Sequence, residues 1–192
     1  MKNVIRILGI AIVLILVAQL VVMFMPFFDF TDMVKPTKKE PNPKTEYTLQ
    51  DYVWMDTEKM DKQFFKKLID DYNVNDHAEG LALTFGLGCV VVILNLLNFA
   101  NSFNKLVTFR AGLINVLTHA ISGFWCYIAI DAYLTSAVLT LPQANQEIYM
   151  ISLNLIYVAT ALVALRLVVN VVSGIVASNK ARAARIAARQ AA

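Results

Sequence analysis

The sequence predicts an all-α membrane protein, an antiparallel four-helix transmembrane bundle with a small, partly helical extracellular loop domain. Three observations carry that expectation. The 192 residues are 58% hydrophobic and only 16% charged, whereas a soluble domain is about 45–50% apolar and about 25% charged. The charges fall in a few blocks separated by long apolar runs. Four of those runs reach the ~20 residues needed to cross a bilayer.

Residues 1–28 hold the N-terminus and the first span. Lys2 and Arg6 precede the apolar run as they would in a secretory signal, but a signal's apolar region is ~7–15 residues and ends in small residues. This run is longer and ends in Met25-Pro26-Phe27-Phe28, so an uncleaved helix is expected. Residues 29–79 form a polar loop or cap. Its Lys35 to Lys44 stretch is proline-rich and extended. The stretch from Tyr47 to Met55 reads as a short helix or strand. At about 57–72 an amphipathic helix is expected, with Met60, Phe64, Leu68 and Tyr72 on one side. Asp76 and Glu79 have capping-box spacing and start the second span, residues 80–103. Residues 104–110 form a cytoplasmic connection, 111–141 the third span, 142–147 an outer turn, and 148–178 the fourth span. The basic tail, 179–192, continues that last helix, because alanine and arginine are both good helix formers.

Basic residues near the spans set the orientation. The N-terminus, the 104–110 connection and the tail are basic, and the 142–147 turn has no Lys or Arg. Both termini are therefore expected in the cytoplasm, with the 29–79 loop outside. The plasma membrane is the expected location.

Polar residues inside spans are the candidate functional groups, since a central charge costs roughly 2.5–3.5 kcal/mol on insertion scales. Lining up the helices at ~1.5 Å per residue gives an inner cluster of Asn95, Asn98, Asn115, His119, Arg166 and Asn170. An outer cluster joins Gln19, Asp131, Asn154 and Tyr157. Such clusters read either as a pathway or pocket with His119 as a titratable element, or as interhelical hydrogen bonding. Gly80, Thr84 and Gly88 form a small-residue packing face. In the loop, Tyr47, Tyr52, Trp54, Phe64, Phe65 and Tyr72 form either a packed cap or a recognition patch. Cys89 and Cys126 both lie in apolar runs and read as buried thiols.

No cofactor or metal is expected. His77 beside Asp76 and Glu79 reads as part of a helix start. No His-Glu-x-x-His, Gly-x-Ser-x-Gly or Walker pattern occurs, so no enzymatic activity is expected. The tail's Lys180, Arg182, Arg185 and Arg189 suit anionic lipid, at about 1 kcal/mol per charge near the surface, and they are also an ordinary positive-inside flank, so no nucleic-acid partner is expected. The layout of a long first outer loop, a short second loop and a basic tail resembles that of claudin-like tetraspans. The loop differs from theirs in carrying Trp54 without a Gly-Leu-Trp or a cysteine pair.

The expected function is that of a non-enzymatic membrane interaction protein, an accessory or scaffold subunit or a homo-oligomer, using its extracellular loop and helix faces. It would act on the bilayer and on another membrane protein or a second copy of itself. The alternative is a small transporter or channel with a polar pathway around His119 and Arg166.

Overall fold

The computed structural model describes residues 2–36, 38, 42–53, 71, 78–103 and 109–190. It is mostly helical, and four helices are long and apolar enough to cross a membrane. In chain order they are α1 (Lys2–Val22), α3 (Ala78–Asn101), α4 (Phe109–Thr135) and α5 (Gln146–Gln190). Among the described residues between α1 and α3 are two short strands, β1 (Pro26–Asp29) and β2 (Glu46–Thr48), and a five-residue helix, α2 (Leu49–Val53). A 3-10 turn, Ala137–Thr140, follows α4. Apart from Asp71, the expected helix at 57–72 lies outside the described residues, as do Trp54, Phe64, Phe65, Tyr72, Asp76, His77 and residues 104–108 of the connection.

The first span is shorter than expected. Its apolar run continues to Phe28, but α1 ends at Val22. Pro26 has no N–H to give a helix and biases Met25 away from the α region. The chain therefore turns at Phe24 and Met25 and leaves as β1, which pairs antiparallel with β2. The 142–145 turn joins this ribbon: Asp29 N–H donates to the Gln143 carbonyl at 3.0 Å, and Asn145 N–H donates to the Phe27 carbonyl at 2.7 Å. Strand pairing thus ties the end of α1 to the start of α5. Asn145 Oδ1 accepts from the N–H groups of Glu147 and Ile148, capping α5.

The α2 turn carries its own capping box. Asp51 N–H donates to Thr48 Oγ1 at 2.9 Å, and Thr48 N–H donates to Asp51 Oδ2 at 2.9 Å. Burial pushes the Asp51 carboxyl up, but the Thr48 amide, the Lys44 ammonium and the Thr48 hydroxyl together hold it below the usual value. Under the turn, Phe27, Phe28, Phe30, Tyr47, Leu49 and Tyr52 are all buried. Phe30 stacks on Phe28 and meets Tyr47 edge-on. Tyr47 and Tyr52 are therefore core residues of a small aromatic layer.

The four long helices pack in a ring, α1 against α3 and α5, and α4 against the same two. The third helix stops at Thr135, short of the expected Leu141, and the chain reaches α5 through the 3-10 turn. The last helix is one piece of 45 residues, about 67 Å at 1.5 Å per residue. That is more than twice the ~30 Å of hydrocarbon in a bilayer. From Gly174 to Gln190 every residue is exposed.

Candidate functional site

The polar residues inside the ring form two networks. The first surrounds Arg166, which is only 3% exposed. Its Nη1 donates to Asn95 Oδ1 at 2.6 Å, joining α5 to α3 across the centre of the ring. Asn95 Nδ2 donates in turn to the Val91 carbonyl at 2.8 Å and to Ser122 Oγ at 3.2 Å. On the other side, α1 presents Gly9. A Cβ built there would stand 3.5 Å from Arg166 Nη2 and 3.6 Å from Cζ, in ordinary contact. Arg166 Nε is buried with no hydrogen-bond partner among the described residues.

A neighbouring chain of bonds runs through the other inner residues. Asn98 Nδ2 donates to Asn115 Oδ1 at 2.9 Å. His119 Nδ1 lies 2.7 Å from the Asn115 carbonyl, and Asn170 Nδ2 lies 3.0 Å from His119 Nε2. A carbonyl only accepts, so Nδ1 carries the proton and Nε2 accepts from the Asn170 amide. This is the neutral ring. A proton added at Nε2 would need the Asn170 side chain to turn its oxygen inward. Lower still, Arg6 Nη2 donates to the Ser102 carbonyl at 2.7 Å, and the Arg6 guanidinium lies 4.3 Å from the centre of the Phe103 ring.

All six expected inner residues thus fall in two adjoining groups, Arg166–Asn95 and Asn98–Asn115–His119–Asn170. Reasoning from the sequence left out Ser122 as a direct partner of Asn95, the Arg6–Ser102 bond and the closeness of Gly9. The spacing of Asn95, Asn98 and Ser102 at i, i+3 and i+7 marks one helical face and could have found Ser102.

The outer set is assembled differently from the expectation. Gln19, fully buried, bonds with Ser152 Oγ and with Tyr133 Oη, and Ser152 Oγ donates to Tyr133 Oη at 2.7 Å. Asp131, Asn154 and Tyr157 are exposed on the outside of the ring. Asp131 is four residues from the end of α4, about 6 Å along the helix. Asn154 lies on the side of α5 opposite its buried residues Ser152 and Ile156, and Tyr157 lies on the flank of that helix, one turn from Leu153.

Between the two networks every helix contributes apolar residues that are essentially inaccessible: Ile12 and Leu16 from α1, Val91 from α3, Trp125 and Ala129 from α4, and Ile156 and Ala159 from α5. The layer spans about 15 Å along α1, from Gly9 to Gln19. The small-residue face is used up inside the ring. A Cβ on Gly80 would stand 3.1 Å from Ala132 Cβ, and one on Gly88 would stand 3.2 Å from both Leu20 Cδ2 and Trp125 Nε1. Trp125 Nε1 donates to the Thr84 carbonyl at 2.8 Å, between them. Cys126 is buried and Cys89 partly so, both as free thiols.

No protein-family model, curated protein or solved structure matches this chain.

Proposed function

We propose that this is a non-enzymatic integral membrane interaction protein, an accessory or scaffold subunit, whose working surface is the outside of the bundle and its extended last helix. The observation that carries this reading is α5 beyond the ring, where residues 174–190 form a fully exposed helix. Arg182, Arg185 and Arg189 are spaced i, i+3 and i+7 and share one face of it. This stretch is not packed on its own bundle, and most helices in proteins are held by packing. A basic helical arm suits anionic lipid or an acidic surface of another membrane protein. The buried Gly80–Thr84–Gly88 face is taken up inside the ring and is not free for a partner, which supports the arm.

In this reading the helices run as an antiparallel bundle with both termini in the cytoplasm of a plasma-membrane protein and the 29–79 loop outside. Charge supports the orientation. Lys2, Arg6, Lys105, Arg110 and the four tail cations flank the spans at the proposed cytoplasmic side, the 142–147 turn has no Lys or Arg, and the lysines of 29–79 lie in a loop long enough to weigh little in the rule.

The inner polar groups favour a second reading, a small transporter or channel through His119 and Arg166, and the inaccessible apolar layer above them opposes it. Arg166→Leu separates the two. An interaction protein keeps its co-purifying partner with this substitution and loses it when the chain is cut after Ala177. A transporter loses substrate flux in proteoliposomes with Arg166→Leu and keeps it after the cut.

A further inference from the structure

Two bonds hold α4 and α5 in register: Ser152 Oγ donates to Tyr133 Oη at 2.7 Å, and Asn170 Nδ2 lies 3.0 Å from His119 Nε2. Counting from the first pair toward the second at ~1.5 Å per residue, Asp131 and Asn154 share one level, and Tyr127 and Tyr157 share the next. Both helices turn these residues out of the α4–α5 seam along i, i+4 rows. On α4 the row is His119, Gly123, Tyr127 and Asp131. On α5 it is Tyr149, Leu153 and Tyr157, and Tyr149 Oη donates to the Tyr133 carbonyl. Asp131, Tyr127, Asn154 and Tyr157 are all exposed.

Along α5 the packed part of the bundle runs from Gln146 to Ser173, ~40 Å, which is the thickness of a bilayer with its headgroups. Asn154, with Asp131 level with it, lies ~12 Å from the Gln146 end, below a headgroup layer of roughly 5–8 Å. These polar groups therefore face hydrocarbon. The Asp131 carboxylate has no hydrogen-bond or ion-pair partner among the described residues; only its backbone carbonyl is used, by Thr135 Oγ1. Charged side chains inside a membrane as a rule face protein or water and are paired, and Asp131 is too short to snorkel as Lys and Arg do. A second copy in the same orientation brings only another Asp131 to this level. The spans' own cations, Lys2, Arg6, Arg110 and Arg166, lie toward the other end of the bundle.

We infer that this outer face of α4 and α5 docks a membrane helix of another protein, one that carries a Lys or Arg level with Asp131. The cation pairs with the carboxylate in a medium that screens it weakly, and Asn154 and the two tyrosine hydroxyls supply hydrogen bonds around it. This rests on the interaction reading but uses a different surface from the basic arm. Asp131→Leu tests it with the arm intact, and truncation after Ala177 tests the arm with this face intact.

The test places the full chain in phosphatidylcholine vesicles with an oriented host peptide of leucine and alanine, about 20 residues long, and follows association by energy transfer. One Lys in the peptide level with Asp131 tightens association about five- to thirtyfold over Leu at that place. A Lys about 15 Å deeper gives no gain. Asp131→Leu removes the gain, and Asp131→Lys transfers it to a peptide with Glu at that place. Asp131→Leu also leaves the unfolding midpoint of the lone chain unchanged or higher; a fall would mean that the carboxylate serves the chain itself and would overturn the proposal. Equal association of the Lys and Leu peptides, or a gain that survives Asp131→Leu, overturns it as well. So does Asp131-dependent association of the chain with itself, which would make a second copy the occupant.

Discussion

The pairing of Arg166 with Asn95 gives a quantitative expectation that runs against the usual penalty for losing a buried polar contact. Arg166→Met removes a hydrogen bond from a charged group, worth about 1.5–3 kcal/mol. It also removes a guanidinium whose placement in the bilayer costs roughly 2.5–3.5 kcal/mol. The two nearly cancel, so the variant should lie within about 1–2 kcal/mol of the parent. Asn95→Ala keeps the charge and strips the hydrogen-bond partner, at 2.6 Å, that it has among the described residues. Leaving such a charge buried and unpaired costs about 3–5 kcal/mol. In the Arg166→Met background the same change loses only the Asn95 bonds to the Val91 carbonyl and Ser122, about 1–2 kcal/mol. The cycle therefore carries a coupling of about 2–3 kcal/mol. The assay is unfolding of the four proteins in nanodiscs, in gluconate buffer at pH 7. Effects that add to within about 0.5 kcal/mol, or an Arg166→Met loss as large as that of Asn95→Ala, would refute the reasoning.

Four further outcomes are expected. Gln19→Leu breaks the bonds to Tyr133 and Ser152 and should destabilise by about 1–2 kcal/mol, since polar contacts between membrane helices average well below their strength in hydrocarbon; unfolding midpoints measure it. Gly88→Val meets Leu20 and Trp125, whereas Gly86 has open space around it, so the first should cost about 1–3 kcal/mol of overpacking and Gly86→Val under about 1 kcal/mol in the same assay. The Asp51 carboxyl is held below its usual value by Thr48 and Lys44. Its contribution to the cap is therefore complete above the unfolded-state value, near about 3.9, and is lost as pH falls through the lower folded value. Hydrogen exchange at residues 46–53 should show this loosening in acid, and Asp51→Asn should reduce the pH dependence, leaving the part that comes from Asp29, whose carboxyl Thr31 also holds below its usual value. Truncation after Ala177 should leave the bundle's unfolding midpoint unchanged, because the removed residues are exposed.

Hydropathy made the four long helices legible, because nothing but a bilayer tolerates such runs. Their ends were harder. Phe27 and Phe28 are as apolar as the helix before them, and only Pro26 signals that they belong to a strand. The β1–β2 pairing depends on residues some twenty positions apart, and the bridge from Phe28 to Ala144 crosses most of the chain. No local pattern encodes either. The inner cluster was readable because amides and a guanidinium are rare in a span and depth follows from counting residues. Depth does not give the facing direction. Asp131 and Tyr157 lie near the level of Gln19 yet point outward, while Ser152 and Tyr133, common residues in any membrane helix, are its partners. The nearness of Gly9 to Arg166 carries no signal in sequence, since it is an absence of side chain at one point of contact. The apolar layer separating the networks was hidden too, because Trp125 and Val91 differ in no way from lipid-facing residues until the ring is assembled.

The most direct test of the interaction role is the mass and composition of the protein after gentle detergent extraction, by light scattering and mass spectrometry of what co-purifies. A second membrane protein in fixed stoichiometry, released by truncation after Ala177 and retained with Arg166→Leu, is the expected result. A lone 21.4 kDa chain in both the parent and the variants would contradict it.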